Sequence, residues 1–196
     1  MISVIIATFN RSHLLKRVLE SFFHQNGLDN LVYELIVVDN NSTDNTKIVF
    51  DRFLGYPTVR YVFEPEQGVS AARNRGAGES KGEIIAFLDD DVVVDRNWLL
   101  NLDKCLSETN ADVVGGRSYL IFEETPPEWL ESDFRILLSE VNLGDERKLL
   151  TEGRRLFGLN LAIRKDLFLC KGGFSLTLGR MGYELTGGEE TDLIGK

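Results

Sequence analysis

Apolar residues along this chain fall into short runs that each stop at a polar cluster. Ile2-Ser3-Val4-Ile5-Ile6-Ala7 is the first run, and Thr8-Phe9-Asn10-Arg11-Ser12 follows it. Runs of β-branched and aliphatic residues this short, bounded by turn formers, predict buried parallel strands. The same reading predicts strands at 33–38, 59–63, 83–88 and 112–116. Between them the period changes. Leu14, Leu15, Val18, Leu19, Phe22 and Phe23 recur at helical spacing, and Asn26-Gly27 ends that helix. Further helices are expected near 45–54, at 70–75 within 68–76, and at 96–108. Strands alternating with helices on short connections predict an α/β fold with a mainly parallel central sheet and right-handed crossovers.

Beyond Gly116 the pattern weakens. Residues 117–122 are a candidate strand, 123–133 with Pro126-Pro127 an acidic loop, 136–150 ambiguous, and 155–164 a weakly alternating strand. Glu189-Glu190-Thr191-Asp192-Leu193 after Gly187-Gly188 predicts a helix start with acids in its first turn. Because the chain stops about one turn later, a longer parent with a missing C-terminal segment is expected.

The strand ends hold the chemistry. Asp89-Asp90-Asp91 closes the apolar run Ile84-Ile85-Ala86-Phe87-Leu88, Asp39 closes the second strand, and Thr8–Arg11 follow the first. In a parallel sheet these are all carboxyl ends and share the edge where open α/β sheets bind ligands. Three adjacent carboxylates call for a counter-charge. Mg²⁺ or Mn²⁺ would supply it, and a solvated acidic turn is the competing reading. On an extended backbone Asp89 and Asp91 face one way and Asp90 the other. Asp39 is followed by several better cap formers, Asn40-Asn41-Ser42-Thr43-Asp44, which leaves it free for a ligand.

Composition narrows the options. With 196 residues the chain suffices for one substantial domain, and a net charge of −9 argues against nucleic acid as the main partner. Two cysteines without ligand spacing fit a reducing cytosol, and two histidines make a histidine-based zinc site improbable. No apolar run approaches the ~20 residues of a membrane span, and the N-terminus has no basic leader. The expected location is the cytoplasm, with a peripheral position at the inner face of the membrane left open. Neither GxGxxG after the first strand nor GxxxxGK[ST] occurs. A haloacid-dehalogenase-like phosphotransferase would need an aspartate after the first strand, and Ala7-Thr8-Phe9 has none. A non-catalytic sugar-nucleotide-binding module is the remaining alternative.

Val4-Ile5-Ile6-Ala7-Thr8-Phe9-Asn10-Arg11, Val37-Val38-Asp39-Asn40-Asn41-Ser42-Thr43-Asp44-Asn45-Thr46, Ala72-Arg73-Asn74-Arg75-Gly76 and Phe87-Leu88-Asp89-Asp90-Asp91 together resemble glycosyltransferase family 2, of the GT-A fold. Gly158-Leu159-Asn160-Leu161-Ala162, Gly172-Gly173-Phe174 and Gly188-Glu189-Glu190-Thr191-Asp192-Leu193 continue the resemblance in the same order. It implies a metal-dependent, inverting transfer of a sugar from a nucleotide-sugar donor, UDP-linked by expectation, to a saccharide, lipid-linked or protein acceptor in polysaccharide or glycoconjugate synthesis. Residues 1–116 would form the nucleotide-binding half, and 117–196 the acceptor and catalytic-base half of one GT-A domain. The resemblance implies donor contacts from Thr8, Phe9, Asn10, Arg11, Asp39, Arg73, Asp89 and Asp90. It makes Asp91 the ligand of Mn²⁺ or Mg²⁺ in a DxD motif, with Asp90 near the ribose, Asp39 at uracil and Arg73 beside nucleobase or phosphates. Glu190 would be the catalytic base. The family's Glu-Asp reads Glu189-Glu190 here, with Asp192 as a fallback. Trp98 and Trp129 are candidates to stack on a sugar, and Arg154 and Arg155 to meet phosphate or solvent.

Overall fold

A computed structural model describes residues 1–196 except 128, 131, 151–155, 181–186 and 196, and gives the backbone alone at 132 and 133. Arg154, Arg155 and the start of the strand expected from 155 therefore lie outside the described residues.

The apolar runs form β1 (Ile2–Thr8), β2 (Tyr33–Asp39), β3 (Val59–Phe63) and β4 (Ile84–Asp89), with β5 (Val113–Gly115) and β6 (Asn160–Arg164) later in the chain. The sheet order is β3-β2-β1-β4-β6-β5. The first four strands are parallel, and β6 runs antiparallel between β4 and β5. Register puts Thr8 opposite Asp39 and Ala7 opposite Asp89, so the polar stops of β1, β2 and β4 lie level on one edge. Leu88 pairs with Asn160, so reversed β6 delivers the residues just before Asn160 to that same edge.

Both faces of the sheet are covered, which is why β1 and β4 read as near-continuous apolar runs. Helices α1 (Ser12–Phe23), α2 (Thr46–Asp51) and α4 (Trp98–Thr109) cover one face, burying Leu15, Phe22, Phe50 and Leu102 against Val4, Ile6, Val37 and Leu88. On the other face, α3 (Val69–Glu79), α6 (Lys165–Cys170) and α7 (Glu189–Gly195) pack on Ile5, Val38, Ile85 and Phe87. Phe87, Phe168 and Phe174 meet there with ring centroids 5.0–5.6 Å apart. Helix α3 lies close on the sheet at Gly76, where a Cβ would come within 2.5 Å of Ile5.

The structure corrects four sequence readings. Helix α3 runs well past 70–75, because Ala77 still packs on the sheet. Residues 117–122 form no strand, only a bridge from Ser118 to Val141. The loop expected through 133 gives way to α5 (Ser132–Arg135) and a 3-10 turn at Ile136–Leu138. The strand expected over 155–164 begins only at Asn160, where pairing with β4 starts. No helix among the described residues is long and apolar enough to cross a membrane.

Candidate functional site

The loops after β1 and β2 are locked to each other. Asn10 has a left-handed φ of 53°, a conformation asparagine tolerates. Its Oδ1 accepts the Thr43 amide at 2.7 Å, while its own amide donates to Ser42 Oγ at 2.9 Å. Helix α1 lacks a side-chain cap from its own N-cap, Arg11. Asp44, from the other loop, accepts the Ser12 amide at 2.9 Å and also the amide and hydroxyl of Thr46 at the start of α2. These hydrogen bonds hold the Asp44 carboxyl below its usual range despite the cost of desolvation.

Asp39 is less free than its surroundings in sequence suggested. It is buried, Oδ1 accepts the Ser42 amide at 2.8 Å, and Oδ2 accepts the Tyr61 hydroxyl. Burial and the facing carboxylate push the Tyr61 phenol well up. Each Asp39 oxygen keeps a second lone pair for a ligand donor. Tyr61 was missed in the sequence, where its only signal is its position on the strand beside β2.

The triplet does not alternate as an extended strand would, because β4 ends at Asp89 and the next two residues turn. Asp90 is buried, accepting Thr8 Oγ1 at 2.7 Å and Arg11 Nη1 at 3.1 Å. The same Arg11 nitrogen lies 3.4 Å from Asp91 Oδ2, so Asp90 and Asp91 share a cation instead of facing apart. Burial pushes the Asp90 carboxyl up to about 6, with the Asp91 charge adding to it and Thr8 and Arg11 opposing. Asp91 is raised too, by desolvation and then by the Asp89 charge, although half of its side chain is open to solvent. Phe9 and Asn10 are exposed beside this edge.

Asp89 points to a different partner. Its Oδ1 receives Arg73 Nη2 at 2.7 Å. Arg73, only 4% exposed, spends Nη1 on Glu189 at 3.0 Å and Glu190 at 3.3 Å, and its guanidinium lies 5.4 Å from the Phe174 ring centre. Burial disfavours its charge, but Asp89, Glu190 and Glu189 outweigh that and keep it protonated. Glu189 is raised by burial and by Glu190, with Arg73 opposing. Glu190 Oε1 also accepts the Gly158 amide at 2.9 Å. Gly158 was visible in the sequence only as part of a motif, with no role attached.

The acidic helix α7 is carried here by the chain that docks on α3. Ser70 Oγ donates to the Leu178 carbonyl at 2.8 Å, and Asn74 holds both the carbonyl and the amide of Phe174. Trp98 Nε1 donates to Asn160 Oδ1 at 2.9 Å, which ties it into the structure, whereas Trp129 is 70% exposed.

Among the described residues no three His, Cys, Asp or Glu side chains converge as a ready-made cation cage. A hard divalent ion that binds a substrate diphosphate does not need one, since one or two carboxylates plus phosphate oxygens and water suffice. Asp91, half exposed, crowded by Asp89 and 3.4 Å from Arg11, fits that requirement.

The family model for Glycosyl transferase family 2 matches residues 3–170. Glycosyltransferase AglE of Haloferax volcanii is 38% identical over 117 residues, covering 59% of this chain and 38% of its own. The mannosyltransferase PcManGT of Pyrobaculum calidifontis, solved with GDP-Man and Mn²⁺, superposes with a TM-score of 0.68 at 22% identity, over 97% of this chain and 49% of its own. TarS of S. aureus (residues 1–349), solved with UDP-GlcNAc, gives 0.66 at 19% identity, over 89% and 48%. The chain spans roughly half the length of these solved structures and less of AglE.

Proposed function

The chain belongs to glycosyl transferase family 2 and has the GT-A fold, and we propose on that premise that it binds a nucleotide-sugar and transfers its sugar to an acceptor hydroxyl with inversion. The observation that carries this reading is Arg73, whose one guanidinium joins Asp89 of the triplet to Glu190 of the acidic helix. Donor-binding and proton-accepting carboxylates are thereby parts of one site.

In this reading Asp39 receives a donor hydrogen from the nucleobase. Thr8, Phe9, Asn10 and Arg11 line the nucleoside and phosphates, and Asp90, already fixed by Thr8 and Arg11, takes a ribose hydroxyl. Asp89 lies at the sugar side of the donor. Asp91 would hold Mn²⁺ or Mg²⁺, which when bound stabilises the charge of the leaving diphosphate as a Lewis acid. The acceptor's O–H proton passes to Glu190 as its oxygen bonds the anomeric carbon. The bond from that carbon to the diphosphate oxygen breaks, and its electron pair leaves with the nucleoside diphosphate. General-base assistance of this kind contributes roughly 10²–10⁴-fold. Glu190 as the one carboxylate assigned to the acceptor's proton, with Glu189 paired to Arg73, supports a single displacement. UDP is the nucleotide we propose, supported by the UDP-GlcNAc complex of TarS; the GDP-Man complex of PcManGT supports a GDP-sugar as the second reading. The acceptor is a saccharide, lipid-linked or protein hydroxyl contacted by residues 123–151. Two free cysteines support a reducing, cytoplasmic setting.

Glu190→Gln tests the reading. The variant is expected to bind UDP-sugar with Mn²⁺ as the wild type does, by calorimetry, and to release no UDP from it under transfer conditions. Normal turnover by Glu190→Gln would remove Glu190 as the base.

A further inference from the structure

We infer that Gly158 and Arg73 form a seat that grips Glu190 through Oε1 alone and presents Oε2 to the acceptor. The inference rests on Glu190 being the base and goes beyond it by naming what aims it. Two donors converge on one oxygen: the Gly158 amide at 2.9 Å and Arg73 Nη1 at 3.3 Å. Among the described residues no donor reaches Oε2. A carboxylate fixed at one oxygen has its rotation limited while the other oxygen stays available to take a proton.

Arg73 is thus a positioning residue. Its two terminal nitrogens are engaged by Asp89, Glu189 and Glu190, it is 4% exposed, and Phe174 closes one side of it. That leaves it no open face toward a donor phosphate or nucleobase. Gly158 contributes as much by what it lacks. A Cβ there would come within 2.5 Å of both Arg73 Nη2 and Glu190 Oε1. Only a residue without a side chain lets its amide, the guanidinium and the carboxylate converge. The antiparallel course of β6 brings this amide to the edge, because Asn160 pairs with Leu88 beside the triplet.

Gly158→Ala separates the seat from the charges, since it removes none. With UDP-glucose or UDP-GlcNAc, whichever the wild type consumes faster, and Mn²⁺, its kcat for UDP release is expected to fall about 10–100-fold, the scale of a misplaced catalytic group. KM for the donor and Kd for UDP should stay within about twofold, because uniform binding is untouched. Arg73→Lys, which keeps the charge and loses the planar fork, should show the same division. Wild-type kcat in Gly158→Ala would overturn the seat, as would a tenfold or greater loss of UDP affinity in Arg73→Lys, which would make Arg73 a donor contact. Glu190→Gln run in parallel separates the two readings. If it is inactive while Gly158→Ala is fully active, only the seat fails; if it turns over normally, the base assignment fails first.

Discussion

Arg73 Nη2 lies 2.7 Å from Asp89 Oδ1 and its Nη1 lies 3.0 Å from Glu189 Oε1, so one guanidinium joins two carboxylates that sequence places a hundred residues apart. The same buried guanidinium neutralises Glu189 and Glu190. Arg73→Met should therefore leave three acids without their shared cation. Breaking a buried pair from one side costs about 3–5 kcal/mol, and urea denaturation should show a loss on that scale. A loss below about 1 kcal/mol would mean the acids find other partners or protonate cheaply.

Asp91 should behave in the opposite way. Its side chain is half exposed, and its ion pair with Arg11 is long, at 3.4 Å. Asp91→Ala is expected to shift unfolding free energy by no more than about 0.5 kcal/mol, as surface changes do. UDP binding in the presence of Mn²⁺ should disappear, along with transfer. Metal-dependent UDP binding retained in Asp91→Ala, seen by titration calorimetry, would disprove the ligand assignment.

The Asp90 carboxyl gives a pH signature in the unliganded protein. Its folded value of about 6 stands above its ordinary 3.8. The folded state then binds the proton more tightly, so the contribution of Asp90 to stability is fully present below pH ~4 and is lost as pH rises through about 6. At 1.36 kcal/mol per unit, the full effect is about 3 kcal/mol. Asp90→Asn cannot titrate, so its melting temperature relative to wild type should climb between pH 4 and 7. A flat difference across that range would refute the raised value.

Asp44 supports two helices from one loop, accepting from Ser12 of α1 and Thr46 of α2. Losing one cap typically costs about 1 kcal/mol, so Asp44→Ala should destabilise the fold by about 1–2 kcal/mol. UDP affinity should fall as well, since the Asn10 loop loses its anchor at the start of α1. Thermal melts and UDP titration of the variant would check both, and an unchanged melting temperature would show that water replaces the caps.

Much of this was legible in the sequence because apolar runs with abrupt polar stops mark strands and their carboxyl ends together. Ile84-Ile85-Ala86-Phe87-Leu88 followed by aspartates located both β4 and the edge it shares with Thr8 and Asp39, while Glu190 came through the family resemblance alone. What stayed hidden were partners. The alternation of Asn160–Arg164 signals a strand, but not that it inserts antiparallel between β4 and β5. The cap on α1 could not be read locally, because Asp44 comes from the neighbouring loop. Asp39 looked unclaimed because its second partner, Tyr61, lies on another strand. The opposite-face reading of Asp90 and Asp91 failed because it assumed the strand ran on past Asp89. Side-chain pairing across elements is set by register and approach, which composition and spacing carry only weakly.

The reversed strand β6 also sets an order of events during synthesis. Among the described residues β5 pairs in the sheet with β6 alone, so it leaves the ribosome well before that partner, with residues 116–159 between them. Until β6 arrives, β4 has one open side, a ladder of unpaired amides and carbonyls beside a strongly apolar strand. At ~5–20 residues per second, that exposure lasts for seconds. The nascent protein should need shielding there by a chaperone or by the ribosome, and slowing translation across 116–159 should cost folding yield more than slowing it across β1 to β3.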